Sequence, residues 1–477
     1  MQLNYIANTA IASSSGKTIP VIDPSDGRVF DDIQRGNAND IDKAVSAARD
    51  CLELVWQRQS AADRGRLLMR LSAKLAQHAD ELALIEQRDC GQPVKQARAD
   101  AAALVRYFEF YAGACDKLHG ETIPYQSGYS VMTWREPHGV TGHIIPWNYP
   151  MQIFGRSVGG ALAAGNVCVV KPAENACLSL LRVAQLAAEV GFPAGAINIV
   201  TGYGHEVGDA LARHKGIDHI SFTGSPAVGT LIQQVAAERH CPVTLELGGK
   251  SPQIVFADAD LDAAIPIIVN AIVQNAGQTC SAGSRLLVEQ SIYEPLLARL
   301  GQAFEKLRVG PASMDLDVGP LISQTQQQRV WDFLSDAQIA NISMVAQGQI
   351  VDEAPDTGFY QAPTLLRDVP VMHRLAQEEV FGPVLCAMSF KDEDHAVEMT
   401  NATPFGLVAG VWTRDGARQF RMAKRIKSGQ VFINNYGAGG GIELPFGGIK
   451  SSGSGREKGF EALYGFTTLK TIAINHG

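Results

Sequence analysis

Between Val140 and Leu245 the chain repeats one pattern, a short β-branched run followed by a stretch with helical spacing. Residues 140–145, 167–170, 196–200, 219–222 and 243–245 read as buried strands, and residues 157–164, 178–190, 207–214 and 227–239 read as the helices between them. Strands this short and apolar, each separated from the next by a helix, bury both faces in a parallel sheet wound on both sides by helices. The fold class is therefore α/β and doubly wound. A second alternating series starts at Gln253-Ile254-Val255-Phe256, after Gly248-Gly249-Lys250-Ser251-Pro252, which puts a domain boundary near residue 250. A chain of 477 residues exceeds what one core serves, so two or three domains are expected.

Upstream, Ile41, Ala44, Val45, Ala48, Leu52 and Val55 keep helical spacing, and similar pattern covers residues 64–87 and 97–114, so the N-terminal quarter is expected to be mainly helical. Two β-rich segments, 128–135 and 467–474, have no evident neighbour. They are either edge strands of this chain or part of a small sheet completed between subunits. The net charge of -8 and the lack of a basic patch argue against nucleic acid or anionic membrane as partners. Eight scattered cysteines without a CxxC pair fit reduced thiols, and no histidine or carboxylate cluster has metal-ligand spacing. The N-terminus lacks a signal-peptide pattern, and the apolar stretches are broken by Arg156, glycines, Asp258 or Asp260. A soluble, cytoplasmic protein without a metal is expected.

Several glycine-rich places could cradle phosphate. Gly202-Tyr203-Gly204-His205-Glu206-Val207-Gly208 follows a strand and opens a helix, but Val207 stands where a third dinucleotide-binding glycine belongs. Phe222-Thr223-Gly224-Ser225 is again strand, tight turn and helix, and its free N–H groups suit a pyrophosphate. Gly248-Gly249-Lys250-Ser251 resembles the end of a P-loop without its first glycine, so an ATP site is rejected there. Glu174, just beyond the run 167–170, can accept hydrogen bonds from both hydroxyls of a ribose and would repel a 2′-phosphate. A dinucleotide site follows, with NAD favoured over NADP.

Cys280 sits between two glycines in Gly277-Gln278-Thr279-Cys280-Ser281-Ala282-Gly283, a setting too polar for a packing cysteine and open to backbone N–H groups. Together with Pro146-Trp147-Asn148-Tyr149-Pro150, Phe222-Thr223-Gly224-Ser225, Leu245-Glu246-Leu247-Gly248-Gly249-Lys250, Glu378-Glu379-Val380-Phe381-Gly382-Pro383 and Pro445-Phe446-Gly447-Gly448, it resembles the aldehyde dehydrogenase superfamily over nearly the whole chain. The resemblance implies a Rossmann-like cofactor domain (residues 1–117 and 138–248), a second α/β catalytic domain (249–450) and a small β oligomerisation element (118–137 and 451–477). A homodimer or homotetramer is implied with it.

The same resemblance assigns roles. Cys280 is the nucleophile, Asn148 and the Cys280 N–H the oxyanion donors, and Glu246 the base for hydrolysis. Relatives that pass the acyl group to coenzyme A generally lack that base, so a free acid is the expected product. Lys171 would contact the cofactor ribose and assist proton shuttling. Ile145, Pro146, Trp147, Glu174, Gly204, Gly208, Phe222, Thr223, Gly224, Ser225, Val228, Leu247, Glu379 and Phe381 complete the implied NAD contacts. Tyr149, Phe154, Arg156, Thr279, Ser281 and Phe446 are the expected substrate walls.

Arg156 could hold a carboxylate tail, as in semialdehyde enzymes, or equally be a structural arginine paired with an acid. The small residues from Gly437 to Gly441 suggest a roomy mouth suited to an aromatic or extended aldehyde. A cysteine esterase, or a non-catalytic protein on the same fold, are the competing functions; NADH formation from NAD and an aldehyde separates them.

Overall fold

The five β-rich runs form strands that pair in parallel in the order Ile197–Ile199, Val167–Pro172, Val140–Ile145, His219–Thr223, Val243–Glu246. In this computed structural model, which describes residues 1–437 and 441–477, the first of those strands in sequence thus lies in the middle. The chain builds outward from it to one side, then returns and builds outward to the other. Residues 167–170 are fully buried, as a strand covered by helices on both faces must be. The reversal of strand order leaves a crevice at the carboxyl ends of Val140–Ile145 and His219–Thr223. Antiparallel strands Asn4–Ile6 and Thr9–Ile11 extend one edge of this sheet, and Gly453–Ser454 extends the other.

The second series forms a sheet in the order Met344–Gln347, Thr364–Leu366, Val384–Phe390, Arg285–Glu289, Pro252–Val255, Val408–Trp412, Gln430–Ile433, parallel except at Met344–Gln347. The first sheet's parallel strands end at Glu246 and the second sheet begins at Pro252, so residues 247–251 join them. Each sheet has its own core. Phe108, Tyr111 and Phe154 pack with the first, while Phe256, Phe333, Phe390 and Trp412 pack with the second.

The N-terminal quarter is mainly helical, as expected, through Ala38–Leu54, Ala61–Gln77, Ala79–Cys90 and Val94–Ala114, with two details the pattern did not show. The first 34 residues hold the strands Asn4–Ile6, Thr9–Ile11, Thr18–Asp23 and Arg28–Gln34, the last two paired as a hairpin, which are too short and too polar to stand out as pattern. The helical stretch 64–87 breaks at His78 into Ala61–Gln77 and Ala79–Cys90. Helices elsewhere begin where a side chain can take up a free N–H: Asn37 and Asp40 form a capping box for Ala38–Leu54, and Ser225 caps Pro226–Ala237.

The two segments left without a neighbour by the sequence are each other's neighbour. Thr467–Asn475 pairs antiparallel with Tyr129–Pro137 along its whole length, from Thr467 opposite Pro137 to Asn475 opposite Tyr129, and Thr122–Ile123 flanks the latter. Among the described residues, no helix is long and apolar enough to cross a membrane.

Candidate active site

A cavity of about 1090 Å³ opens where the carboxyl edge of the first sheet faces the amino edge of the second. From the first sheet come Pro146, Trp147 and Asn148 after Val140–Ile145, Thr223 to Pro226 at the end of His219–Thr223, and Glu246 at the end of Val243–Glu246. From the second come Gly248 before Pro252–Val255, Cys280 and Ser281 before Arg285–Glu289, Phe381 before Val384–Phe390, and Phe405 before Val408–Trp412. Residues more than a hundred positions apart are thereby brought to one space.

The approach to Cys280 is strained. Asn275, Ala276 and Gly277 hold φ of 48°, 53° and 75° in succession, and the first two lack the freedom of glycine there. A Cβ on Gly277 would stand 2.3 Å from the backbone of Gly382. Hydrogen bonds fix the turn. Gln278 Nε2 donates to the Asn275 carbonyl at 3.0 Å, and Gln278 Oε1 accepts from the Ile322 N–H at 2.9 Å. On either side of Cys280, Thr279 Oγ1 bonds Tyr149 OH at 2.9 Å and the Ser281 carbonyl accepts from Tyr436 OH at 2.6 Å. Burial pushes the Cys280 thiol up to about 11, and the Arg156 charge is the main opposing influence.

Glu246 is buried, and neither of its carboxylate oxygens has a hydrogen-bond partner among the described residues. Burial raises its pKa well above the carboxylate range; Arg156 opposes the rise and Glu457 adds to it. Asn148 is held from both ends. Its carbonyl accepts from Gln92 Nε2 at 2.9 Å and Asn275 Nδ2 at 2.7 Å, and its own Nδ2 donates to the Gln278 carbonyl at 3.0 Å. An amide nitrogen carries two hydrogens, so one remains for another acceptor.

On the side of Trp147, Glu379 accepts from the Gly249 N–H at 3.0 Å, and burial pushes its carboxyl up to about 7. Phe381 holds φ of 59° and meets the Trp147 ring edge-on at 5.4 Å. Gln326 Nε2 donates to the Phe381 carbonyl at 2.7 Å and Arg329 to the Glu379 carbonyl at 2.5 Å, two supports that no sequence motif announced.

Other predicted cofactor residues flank the cavity instead of lining it. Ile145 ends its strand, Phe222 lies buried beneath Gly224, and Leu247 packs against Gly229. Val228 is exposed on the Ser225-capped helix, and Lys171 pairs with Glu174 at 2.9 Å. Gly204 and Gly208 bound one π-helical turn, and Val207 inside it is buried beside Gly202 and Gly36. The valine in place of the third glycine is therefore a packing residue.

At the opposite end, Tyr149, Arg156, Thr279, Ser281 and Phe446 line the cavity. Phe154 does not. It points the other way along its helix, fully buried against Phe108 with ring centroids 6.2 Å apart, which corrects its expected place as a wall. Arg156 reaches the cavity, but its Nε lies 2.5 Å from the buried Glu457 Oε2 and its guanidinium sits 5.0 Å from the centre of the Phe446 ring. Its charge is thus balanced inside the protein, the structural one of the two readings. Of the small-residue loop, Ala438, Gly439 and Gly440 lie outside the described residues.

Glu457 and Lys458 were not legible as site residues. Both come from the C-terminal stretch, where Glu457 bonds Phe446 backbone to backbone, at 2.6 and 2.8 Å; Lys458 lines the cavity, while Glu457 is fully buried. Lys458 Nζ lies 5.3 Å from the Phe446 ring centre, and burial brings it down to about 8.

A family model described as the aldehyde dehydrogenase family matches residues 11–472. Hydroxyisobutyraldehyde dehydrogenase of Mycolicibacterium austroafricanum is 42% identical over 474 residues, 99% of this chain and 94% of that one. Two solved structures are similar throughout. A candidate aldehyde dehydrogenase from Burkholderia cenocepacia has a TM-score of 0.99 and 72% identity, with 100% of both chains covered. The NAD+ complex of an aldehyde dehydrogenase from Bacillus cereus has a TM-score of 0.97 and 37% identity, covering 100% of this chain and 97% of that one.

Proposed function

The chain belongs to the aldehyde dehydrogenase family, and we propose that it oxidises an aldehyde to the carboxylic acid with NAD, carrying the acyl group on Cys280. The observation that carries this reading is that a half-buried thiol and Glu246, a buried carboxylate with no hydrogen-bond partner among the described residues, line the same cavity. The cavity fits a dinucleotide in its backbone. Glycines at 224 and 248 leave space that a Cβ would close, meeting the Phe222 ring at 2.6 Å and Glu379 Oε2 at 2.3 Å, and the Ser225-capped helix offers free N–H groups beside it. Gly224, Ser225, Glu174, Lys171, Glu379 and Phe381 would hold the cofactor, and the bound nicotinamide supplies a hydride acceptor.

The protein's own part is proton transfer and charge stabilisation. A thiol raised to about 11 needs a base, and Glu246, with a raised proton affinity of its own, takes the proton. The thiolate adds to the aldehyde carbon. The oxyanion that forms receives the second Asn148 Nδ2 hydrogen and the Cys280 N–H, donors of a kind each worth about 3–4 kcal/mol. Loss of hydride from that adduct leaves a thioester on Cys280. Glu246 passes the thiol proton to solvent, then takes a proton from water as the water attacks; collapse expels the thiolate, which recovers that proton, and frees the acid. The overall balance is aldehyde, NAD+ and water giving acid, NADH and a proton.

Tyr149 and Phe446 give the cavity aromatic walls suited to an aryl or branched substituent. Balanced by Glu457, Arg156 lends less to a semialdehyde carboxylate than the sequence suggested. Residues 1–117 and 138–248 form the cofactor unit, 249–450 the catalytic unit, and 118–137 with 451–477 the bridging one. In the last, the strand Thr467–Asn475 offers an outer edge and exposed Leu469 and Ile474 to a second copy. Cys280→Ala is the direct test of the chemistry: NADH formation from any aldehyde should vanish with NAD binding retained, and full turnover would refute the mechanism.

A further inference from the structure

Two helices meet at the cavity end beyond Tyr149. Gln96 and Asp100 stand one turn apart on Val94–Ala114, and Gln152 stands on Pro150–Ala164. Asp100 Oδ1 accepts from Gln96 Nε2 at 2.9 Å and from Gln152 Nε2 at 2.7 Å. An ionised carboxylate can only accept, so both amide nitrogens must face it, and each planar amide then aims its Oε1 away. Both glutamines line the cavity half-buried, and neither Oε1 accepts from a donor among the described residues. Asp100 is fixed in turn. It is fully buried, near the buried Glu86, whose Oε2 accepts from Ser179 Oγ at 3.1 Å. Burial pushes the Asp100 carboxyl up to about 6, and the hydrogen bonds from Gln152 and Gln96 oppose that rise.

We infer that Gln96 and Gln152 are specificity-determining residues, and that this end of the cavity takes aldehydes whose tails carry hydrogen-bond donors, hydroxyl or ammonium. A hydrocarbon tail would cover two carbonyl oxygens without replacing their water, which costs binding. A carboxylate tail would face those oxygens with the Asp100 charge behind them. Two of the cations lining the cavity are already balanced, Arg156 by Glu457 and Arg106 by Glu443. Asp100 acts as a positioning residue that sets which end of each amide the substrate meets.

The inference rests on aldehyde addition at Cys280, and its test separates the two. Steady-state kcat/KM with NAD would be measured for sets of aldehydes of three to six carbons ending in methyl, hydroxyl, amino or carboxylate, on the wild type and on Gln152→Leu and Gln96→Leu. The wild type should prefer a hydroxyl or amino tail to methyl at the length that reaches the amides, and each variant should cut that preference about fivefold to tenfold. Amino above hydroxyl would assign an ammonium, and the reverse a hydroxylated chain. A wild type that turns over every set without preference, or prefers carboxylate, overturns the inference while leaving the chemistry intact; no NADH from any set sinks the chemistry first.

Discussion

Glu457→Gln tests the charge balance beneath the nucleophile. Glu457 and Arg156 approach to 2.5 Å at 0% and 7% side-chain exposure, and Ser221 Oγ donates to the other Glu457 oxygen at 2.8 Å. Removing one partner of such a buried pair leaves an uncompensated charge and costs about 3–5 kcal/mol. For a chain of this length the unfolding entropy is about 1 kcal/mol per degree, so the melting temperature should fall by about 3–5 °C. Arg156→Met should cost a similar amount, and the double variant clearly less than the sum of the two. A second readout separates this from generic damage. Arg156 lowers the proton affinities of Cys280 and Glu246, and Glu457 raises that of Glu246. The acid limb of the pH–rate profile should therefore move to lower pH in Glu457→Gln and to higher pH in Arg156→Met. Differential scanning calorimetry and kcat/KM from pH 5 to 10 measure both. Additive losses in the double variant, or limbs that move the same way in both singles, would refute the reasoning.

Three further outcomes follow from the same geometry. Glu246→Gln removes the base for both proton transfers and should give a slowed burst of NADH towards one per active site, then a steady state about 10²–10⁴ slower, seen by stopped-flow absorbance; an unchanged steady state would remove Glu246 from hydrolysis. Glu174→Gln should raise the NADP-to-NAD ratio of kcat/KM about fivefold to tenfold by removing the charge that repels a 2′-phosphate, and an unmoved ratio would place selectivity elsewhere. His143, fully buried between Thr141 and Ser157, is brought down to about 3 by burial from an ordinary 6.5. Above pH 6.5 neither state binds its proton. Below that the unfolded chain takes a proton the native state refuses, and stability is lost as pH falls from 6.5 towards 3. The loss is about 2 kcal/mol at pH 5. His143→Gln should flatten the fall in melting temperature between pH 8 and 5, and an identical slope would exclude the effect.

The parallel strands were legible because buried strands are apolar throughout, and the crevice followed from their alternation with helices. Cys280 and Glu246, the proposed nucleophile and base, were legible because each sits in a short motif whose glycines answer to backbone geometry, as the positive φ at Gly277 and the crowded Gly248 show. Long-range pairing left no such trace. Arg156 kept two readings, substrate anchor or paired structural arginine, because its partner lies three hundred residues on, and Phe154, two positions before it, faces the core where a wall was expected. Helical spacing gives a face only relative to neighbours, and here both sides of Pro150–Ala164 are covered. Asp100 and its glutamines were unreadable for a related reason: a buried carboxylate looks like any charged helix residue until the second helix arrives.

The C-terminal stretch belongs to the site as much as to the small sheet. Gly453 pairs with Glu246 and Ser454 with Leu245, so the strand that carries the base is held on its outer side by the stretch that carries Glu457. Phe446, a cavity wall, is tied to Glu457 by two backbone hydrogen bonds, and a Cβ on Gly447 would meet Glu246 Oε1 at 2.7 Å. Ten residues beyond Glu457, the same chain enters the strand Thr467–Asn475. Disturbing that strand should therefore act on chemistry as well as on assembly. Removal of residues 467–477 would release one anchor of the segment holding Glu457, and the charge that balances Arg156 would lose its fixed position. The expected signature is the one argued for Glu457→Gln, an acid limb moved to lower pH together with lost stability. A truncated protein that changes mass by light scattering but keeps the wild-type pH profile would show the two roles to be separable.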